Sequence, residues 1–427
     1  MSSTVIVLLS LSAALLVGLI LTRFAKLIGL PAVTAYLVTG IVFGPFVLGR
    51  LGVEGLGFNS LTQVKSYSIL CDLALGFIAF SIGNEFRISQ LKKIGKQATI
   101  IGIFQAVFTT VLVDIALIGF SLLRPDVLPI EGAIILGAIA SATAPAATLM
   151  VIKQYKAKGE VTDVLLPVVA LDDAVGLVLF AISFGVAKTI SVGDIQLTSV
   201  VVEPILEVVL SLGLGAIMGF LFNFFERFFH SRSKRMAVSV GFVMLTVALS
   251  SLKFEILGVH VAFSSLLTCM MLGTVFCNIC DFSEELMDRV DRWTAPLYIL
   301  FFIISGAELD FNVFSQIMII LVGVIFIGVR SVGKYTGAML SAKMSNASPN
   351  IVKYLGITLL PQAGVAIGMA SKALALGEVG VIVQSVTLFA VLIYEMVGPY
   401  LTKIALIKSG DIIPENQKSS RGVTHKN

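Results

Sequence analysis

Two neighbouring carboxylates, Asp172 and Asp173, lie in an apolar stretch, residues 164–187, that contains no other charged side chain. An ionised acid at the depth of a lipid bilayer costs about 3 kcal/mol or more, and acids kept there pair with other groups or mark ion and proton pathways. The pair therefore predicts a functional site that binds protons, small cations, or both.

Two proline-containing stretches could supply further oxygen ligands. Residues 141–148 read Ser-Ala-Thr-Ala-Pro-Ala-Ala-Thr and residues 360–364 read Leu-Pro-Gln-Ala-Gly, each inside a long apolar segment. Proline removes a backbone hydrogen bond and clashes with the carbonyl four residues earlier. Helices broken at this depth leave backbone groups free to bind ions. The competing interpretation of each stretch is a plain proline kink.

Two basic residues, Arg330 and Lys334, lie one helical turn apart in another apolar segment and therefore share a helix face. A buried lysine can lose its proton, whereas an arginine stays charged. The competing interpretation is that both long side chains extend to the cytoplasmic surface of the membrane.

The composition indicates which elements position these groups. Hydrophobic residues make up 57% of the 427 residues, charged residues 13%, and the mean hydropathy is +1.00. These values predict an all-α polytopic membrane protein. The net charge of +4 calls for no nucleic-acid partner, because the connecting loops account for the basic residues. The first apolar segment predicts a retained helix and not a cleaved signal peptide, since Arg23 and Lys26 follow it.

Thirteen apolar segments are long enough to cross a bilayer. They fall near residues 5–21, 28–49, 66–83, 97–123, 130–152, 164–187, 199–225, 236–252, 258–278, 294–309, 314–340, 351–373 and 380–404. Of the 30 basic residues, 22 fall in the tail or in alternate connections and the segment ends beside them, 6 in the other connections and the segment ends beside those, and 2 well inside a segment. The positive-inside rule then places the N-terminus outside and the C-terminus in the cytoplasm.

Three sequence markers recur in the same order in the two halves of the chain. They are a Gly-x-Glu motif at Gly83 and Gly306, a Gly-x-Val-Phe motif at Gly40 and Gly273, and the prolines Pro145 and Pro361. Matching segments are seven apart, an odd number, so the second copy crosses the membrane in the opposite direction. The markers predict an inverted repeat of segments 2–6 and 9–13.

The paired acids and the broken fifth segment together resemble the sodium (potassium)/proton antiporters of the monovalent cation:proton antiporter superfamily, and specifically its second family. The resemblance covers nearly the whole chain, with looser likeness at residues 29–45, 301–310 and 333–334. It implies an inverted-repeat antiporter fold of about 13 transmembrane helices with two broken, crossing helices. It also implies a homodimer in the lipid bilayer of the cell (plasma or inner) membrane.

The resemblance implies one transmembrane antiporter domain over residues 1–404, followed by a short cytoplasmic tail, residues 405–427. Core helices within about 97–187 and 314–404 would move against dimerisation or scaffold helices within about 5–83 and 199–309. No appended soluble domain is expected after the tail.

The resemblance also implies roles for the charged groups of the site. Asp173 would be the main carboxylate for cation and proton, with Asp172 beside it. Thr143 and neighbouring carbonyls such as that of Ala144 would complete the site for the transported cation.

In the family a basic residue of the eleventh helix pairs with the first acid of the motif. This favours Lys334 as the partner of Asp172, with Arg330 as the alternative. If Lys334 releases a proton as the cation binds, two protons move per cation and the cycle is electrogenic, gaining about 2.3 kcal/mol per net charge at 100 mV. One departure from the family is Gln362-Ala363-Gly364, where many relatives carry a charged run; we therefore expect the crossing to lack that charge.

The sequence thus predicts a secondary active antiporter, not an enzyme, that exchanges Na+ or K+ (or Li+) for H+ by alternating access and serves pH homeostasis, without a cofactor. Two alternatives stay open: a gated monovalent-cation (K+) efflux channel and a sodium-coupled solute symporter on a related fold. Cation selectivity is set by cavity size and ligand placement, which the sequence does not give.

Overall fold

The computed structural model describes residues 3–27, 30–53, 55–84, 86–192, 203–252, 254–256, 259–261, 263–280, 282–308 and 317–413. Its helices are α1 (Ser3–Leu27), α2 (Ala32–Phe43), α3 (Leu61–Lys65), α4 (Ser68–Asn84), α5 (Ile88–Leu123), α6 (Ile130–Ile139), α7 (Pro145–Tyr155), α8 (Glu160–Val192), α9 (Glu203–Glu226), α10 (Arg232–Ser250), α11 (Ser265–Ile279), α12 (Ser283–Glu308), α13 (Ile317–Met344), α14 (Pro349–Thr358), α15 (Gly364–Ala373) and α16 (Glu378–Lys408). Short 3-10 turns cover Gly49–Leu51 and Leu374–Leu376, and two strands, β1 (Phe254–Ile256) and β2 (Val259–Val261), form an antiparallel hairpin. Most of the predicted tail, residues 414–427, lies outside the described residues.

Every one of the thirteen predicted segments coincides with a helix or with a pair of half-helices. Segment 130–152 is divided into α6 and α7, and segment 351–373 into α14 and α15. Among the described residues, seven helices are long and apolar enough to cross a membrane, namely α1, α5, α8, α9, α10, α13 and α16. The predicted all-α, multi-pass fold is confirmed, whereas the number of crossings stays a prediction.

The ninth predicted segment, residues 258–278, begins too early. Val259–Val261 pairs with Phe254–Ile256 as a hairpin, in keeping with the strand preference of β-branched residues, and α11 begins only at Ser265. The Ser264 hydroxyl caps that helix by accepting a hydrogen bond from the Leu267 N–H at 3.4 Å. Apolar periodicity alone did not separate the hairpin from the helix that follows it.

The helices α2 and α12 cross at two glycines. A Cβ atom on Gly40 would overlap the carbonyl of Ile303, and a Cβ atom on Gly306 would overlap the carbonyl of Leu37. Small residues allow two membrane helices to approach backbone to backbone. These two positions therefore fix how α2 and α12 pack.

The helices α4 and α11 repeat this crossing in the other half of the chain. A Cβ atom on Gly83 would overlap the carbonyl of Met270, and one on Gly273 would overlap the carbonyl of Phe80. Each residue of this crossing is the counterpart of one in the α2/α12 crossing. The glycine markers found in the sequence are therefore symmetry-related packing contacts, as an inverted repeat requires.

The buried apolar side chains form two main clusters of different size. One buried cluster draws only on residues 113–187 and 319–394, whereas a larger cluster includes residues of α2, α4, α11 and α12. The first cluster includes buried residues of the half-helices α6 and α15, whereas those of α7 and α14 belong to the larger cluster. The division into core and scaffold domains stays a prediction, but the candidate site lies among the helices assigned to the core.

Candidate functional site

Two breaks in the helices meet at the centre of the site. Residues 140–144 separate α6 from α7, and residues 359–363 separate α14 from α15. The Ala144 N–H donates to the Pro361 carbonyl at 2.8 Å, and the Gln362 side chain donates to the Ile139 carbonyl at 2.9 Å. The breaks therefore cross in direct contact.

Pro145 and Pro361 occupy different positions relative to these breaks. Pro145 is the first residue of α7, where its missing N–H costs no helical hydrogen bond. Pro361 lies inside the second break, three residues before α15 begins. The predicted interruption of both helices is confirmed, with a full break at each place and not a simple kink.

Arg330 binds the free carbonyls of both breaks. Its guanidinium is fully buried and donates to the carbonyls of Ala140 at 2.9 Å, Ala142 at 2.7 Å and Leu360 at 2.8 Å. It also lies over the ring of Tyr394, 4.4 Å from the centroid. A fixed positive charge at these positions stabilises the negative ends of α6 and α14.

Two expectations about the basic residues are corrected by this geometry. Arg330 and Lys334 are both fully buried, so the interpretation in which they reach the membrane surface is wrong. The expectation that the crossing lacks a positive charge, drawn from Gln362, is also wrong. The charge comes from the neighbouring helix α13, a contribution that the sequence of the broken helix does not show.

Asp172 is fully buried and both of its oxygens accept hydrogen bonds. Oδ2 accepts from the Lys334 Nζ at 2.6 Å and from the Thr143 hydroxyl, and Oδ1 accepts from the Gln105 Nε2 at 2.5 Å. The Lys334 ammonium donates further to the Ser141 carbonyl and to the Thr143 hydroxyl oxygen, the latter at 3.0 Å. Of the two predicted partners, the structure therefore places Lys334 against Asp172.

Asp173, the next residue, has no such partners. Its side chain is 1% exposed, and neither carboxylate oxygen has a hydrogen-bond partner among the described residues. One turn further along α8, a Cβ atom on Gly176 would lie 2.9 Å from the Ser141 hydroxyl, so this face of the helix meets the crossing. An ionised carboxylate buried without partners is costly, so a bound proton or cation stabilises it.

The structure brings the predicted site residues to one place in the fold. They are Asp172, Thr143 and Lys334 in mutual contact, Arg330 and Ala144 at the crossing, and Asp173 beside them on α8. Gln105 was not singled out in the sequence, where it is one of several polar residues of α5, with Thr109, Thr110 and Asp114 in the same apolar segment. Among the described residues, no group of three or more His, Cys, Asp or Glu side chains is placed to hold a metal ion.

A cavity of about 1140 Å³ opens between α7 and α8 on one side and α2 and α12 on the other. Its walls include Tyr36, Asp163 and Asp291, and it extends to Pro167. Pro167 is six residues before Asp173, which is about 9 Å along a helix. The cavity therefore approaches the carboxylates from the side of Lys153, Lys156, Lys158 and Arg292, which line it.

The end of α7 is tied to other helices at this cavity. Lys153 lies 2.6 Å from the Asp291 carboxylate on α12 and donates to the Ser81 hydroxyl on α4, also at 2.6 Å. The next residue, Gln154, accepts from the N–H of Ala32, the first residue of α2, at 2.9 Å. A half-helix of the crossing is thus bound to three helices of the predicted scaffold.

Comparisons with known proteins agree with this architecture. The solved structure of the sodium proton antiporter MjNhaP1 from Methanocaldococcus jannaschii at pH 8 superposes with a TM-score of 0.62 at 18% identity, covering 94% of this chain and 95% of that one. An electron-microscopy structure of the same antiporter gives 0.68 at 17% identity, covering 94% of each chain. These likenesses show the fold.

The sequence comparisons show the family. The K(+) efflux antiporter 3, chloroplastic, of Arabidopsis thaliana is 25% identical over 297 residues, which is 65% of this chain. The chain spans only 36% of the length of that relative. Residues 11–408 match the transmembrane region of the sodium/hydrogen exchangers, and the chain therefore belongs to the sodium/hydrogen exchanger family.

Proposed function

We propose that the protein is a secondary active antiporter that exchanges a monovalent cation, Na+ or K+, for H+, with Asp173 as the carboxylate that both ions share. The observation that carries the proposal is the state of the two acids on α8. Both oxygens of Asp172 accept hydrogen bonds, whereas Asp173 is buried and neither of its oxygens has a hydrogen-bond partner among the described residues. Family membership supports the same class of activity.

The chemistry of the site suits a dehydrated alkali cation. Such an ion is a hard Lewis acid that binds oxygen ligands, and carboxylate, hydroxyl and peptide carbonyl oxygens occur here. Asp173, the Thr143 hydroxyl and the Ala144 carbonyl are the groups that we assign to it. Asp172 would lie close to the cation, but its oxygens are already held by Lys334, Thr143 and Gln105.

Competition between the two ions at one carboxylate is sufficient for exchange. An empty, ionised Asp173 is costly in a low-dielectric environment, so the site would reorient when loaded with either a proton or a cation. If the site crossed the membrane empty, one ion could flow down its gradient without driving transport of the other. The cost of burying the bare carboxylate therefore couples the two fluxes.

Alternating access requires the core helices to move against the scaffold helices. We propose that the cavity beside Lys153 is the cytoplasmic access route, because basic residues of two connections, Lys153, Lys156, Lys158 and Arg292, line it, and that the N-terminus is outside. We also propose, as the family resemblance implies, a homodimer in the plasma or inner membrane. The matched relatives are described as a sodium antiporter and a K(+) efflux antiporter, so both cations belong in the test.

The proposal is tested with purified protein in proteoliposomes that contain a pH-sensitive dye and carry a preset proton gradient. Addition of Na+ or K+ should collapse the gradient in a way that saturates with cation concentration. Protein-free liposomes give the background rate. In the Na+ experiments, clamping the membrane potential with valinomycin and K+ separates electroneutral from electrogenic exchange.

The two alternative functions give different results in the same vesicles. A gated channel would conduct the cation down its gradient with no obligatory proton movement. A sodium-coupled symporter would show sodium uptake only in the presence of an added solute. Cation flux without proton movement would remove the antiport proposal.

A further inference from the structure

The chain turns back on itself after α16. Gly410, the second residue after that helix, has a φ of +87°, a conformation that favours glycine at the end of a helix. The turn carries Asp411 and Ile412 into the interior, where they are 6% and 2% exposed. Asp411 is therefore a buried acid that lies outside the site described so far.

Asp411 supplies the cap that α8 lacks in its own sequence. The residue before α8 is Gly159, which has no side chain to accept hydrogen bonds from the first turn. Asp411 Oδ2 accepts instead from the Thr162 N–H at 2.7 Å and from the Thr162 hydroxyl at 2.8 Å. The Asp411 main-chain carbonyl accepts from the Lys158 N–H at 2.9 Å. The capping carboxylate thus comes from a residue 249 positions away in the chain.

Gly159 also makes room for this carboxylate. A Cβ atom on Gly159 would lie 2.5 Å from Asp411 Oδ1, so a side chain there would displace the acid. The Ser409 hydroxyl lies 3.1 Å from the same oxygen and completes its contacts. Both sides of the contact are therefore shaped for each other.

The contact joins helices from the two predicted repeats. The helix α8 corresponds to the sixth predicted segment and α16 to the thirteenth. In its middle, α16 packs on the second break, where a Cβ atom on Gly398 would lie 3.0 Å from the Pro361 Cα. After its end, the Ser409 carbonyl accepts from the Asn350 side chain of α14 at 3.3 Å. The segment that carries Asp411 is thus bound to α8 and α14, both among the helices assigned to the core.

The capped turn of α8 forms part of the wall of the cavity beside Lys153. Lys158, Gly159 and Thr162 all line this cavity. The first N–H groups of a helix need acceptors, and helix ends without them fray. Asp172 is ten residues beyond Thr162, which is about 15 Å along a helix. Loss of the cap would therefore disturb the wall of the cavity and leave the crossing intact.

We propose that Asp411 is a positioning residue for exchange, which holds the start of α8 in the arrangement through which the cation reaches the site. This inference rests on the proposed antiport function. If the wall is correctly arranged in only a fraction of the molecules, the apparent cation affinity falls by that fraction. The maximal rate at saturating cation is kept, because the groups at the crossing are unchanged.

The test is Asp411→Ala, with KM for the cation and the maximal rate of cation-dependent proton movement measured in proteoliposomes. KM should rise by about fivefold, the factor that corresponds to one lost helix cap, with the maximal rate kept. A merely structural role would lower the amount of active protein, and hence the maximal rate, without a change in KM. Asp411→Asn should restore KM to within about twofold, because asparagine caps helices about as well as aspartate.

The matched control is Ser348→Ala, which removes a cap of another core helix. The Ser348 hydroxyl accepts from the Ile351 N–H at 3.5 Å and caps α14 from the residue directly before it. This variant should lower the melting temperature in detergent and leave KM unchanged. A rise in KM equal to that of Asp411→Ala would show that any lost cap has this effect, and would overturn the inference.

A cross-link tests the contact by a second route. The double variant Thr162→Cys with Asp411→Cys lacks the cap when reduced, so its KM should be raised. A short thiol-specific cross-linker then ties α8 to the end of α16 and should return KM toward the original value. The unaltered protein, which has four cysteines of its own, receives the same treatment as the control.

The outcomes separate this inference from the proposed function. Absence of cation-dependent proton movement in the unaltered protein removes the antiport function and this inference with it. If the unaltered protein exchanges and Asp411→Ala keeps its KM, Asp411 has no positioning role. If Asp411→Ala does not yield folded protein, the cysteine pair decides, and the same KM with and without the cross-link overturns the inference.

Discussion

The two faces of α8 at the crossing differ sharply although their acids are adjacent in the chain. The face of Asp172 is bonded to α5, to the first break and to α13 through Gln105, Thr143 and Lys334. The face of Asp173 has no hydrogen-bond partner among the described residues. In the proposed mechanism, one acid is part of the framework and the other takes up the transported ion.

This difference shows how an ion site can stay ordered while its ligand is exchanged. The ion pair of Asp172 and Lys334 holds the crossing in place, together with Arg330, which binds the free carbonyls of the two breaks. An unpartnered carboxylate beside such a framework is easily loaded and unloaded. We therefore expect substitution of Asp173 to abolish exchange without loss of stability, and substitution of Asp172 to lower stability.

The largest expected contrast is between Asp173→Asn and Asp172→Asn. Asp173→Asn should abolish cation-dependent proton movement and leave thermal stability in detergent unchanged or higher, because it removes an unpartnered buried acid. Asp172→Asn should lower thermal stability, because Lys334 loses its counter-ion. Proteoliposome flux and a fluorescence melting curve measure the two effects, and retained exchange in Asp173→Asn would exclude it from the mechanism.

The second prediction concerns the buried ion pair. Asp172→Asn or Lys334→Gln alone should each cost about 3–5 kcal/mol of stability, because each leaves a buried charge without its partner. The double variant should recover much of that loss while exchange stays impaired. A double-mutant cycle on denaturation midpoints measures the coupling, and additive single losses would show that the two groups act independently.

The smallest effect is expected at the ion pair beside the cavity. Lys153 and Asp291 are partly exposed, so Lys153→Ala should change the apparent cation affinity from the cavity side by about two- to fivefold. The control is Lys156→Ala, which removes the exposed lysine that directly follows α7 and makes no ion pair among the described residues. Exchange of the two charges, Lys153→Asp with Asp291→Lys, should restore the affinity; failure to do so would argue against an ionic role.

Much of the site could be predicted from the sequence because its charges stand out against an apolar background. Asp172 and Asp173 were costly enough in the membrane to predict a functional site, and Arg330 and Lys334 were singled out beside the alternative that they reach the membrane surface. The glycine markers were likewise visible, and the structure shows them as equivalent backbone contacts of two helix crossings.

The rest could not be predicted because it depends on contacts between distant segments. The role of Arg330 required the carbonyls of Ala140, Ala142 and Leu360 to meet around it. Gln105 is one neutral residue among many in α5, and only the packing of α5 on Gly337 reveals its target. Local sequence also gave no sign that Asp172 and Asp173 have different surroundings.

The central claim is that proton and cation compete for Asp173. The most direct measurement is the apparent dissociation constant of Na+ or K+ for the purified protein as a function of pH, by isothermal titration calorimetry or by cation-dependent thermal stabilisation. We expect that, once Asp173 is protonated, each further unit of acidification weakens cation binding by about tenfold, and that Asp173→Asn removes this dependence. A cation affinity that does not change with pH in the unaltered protein would contradict the shared site.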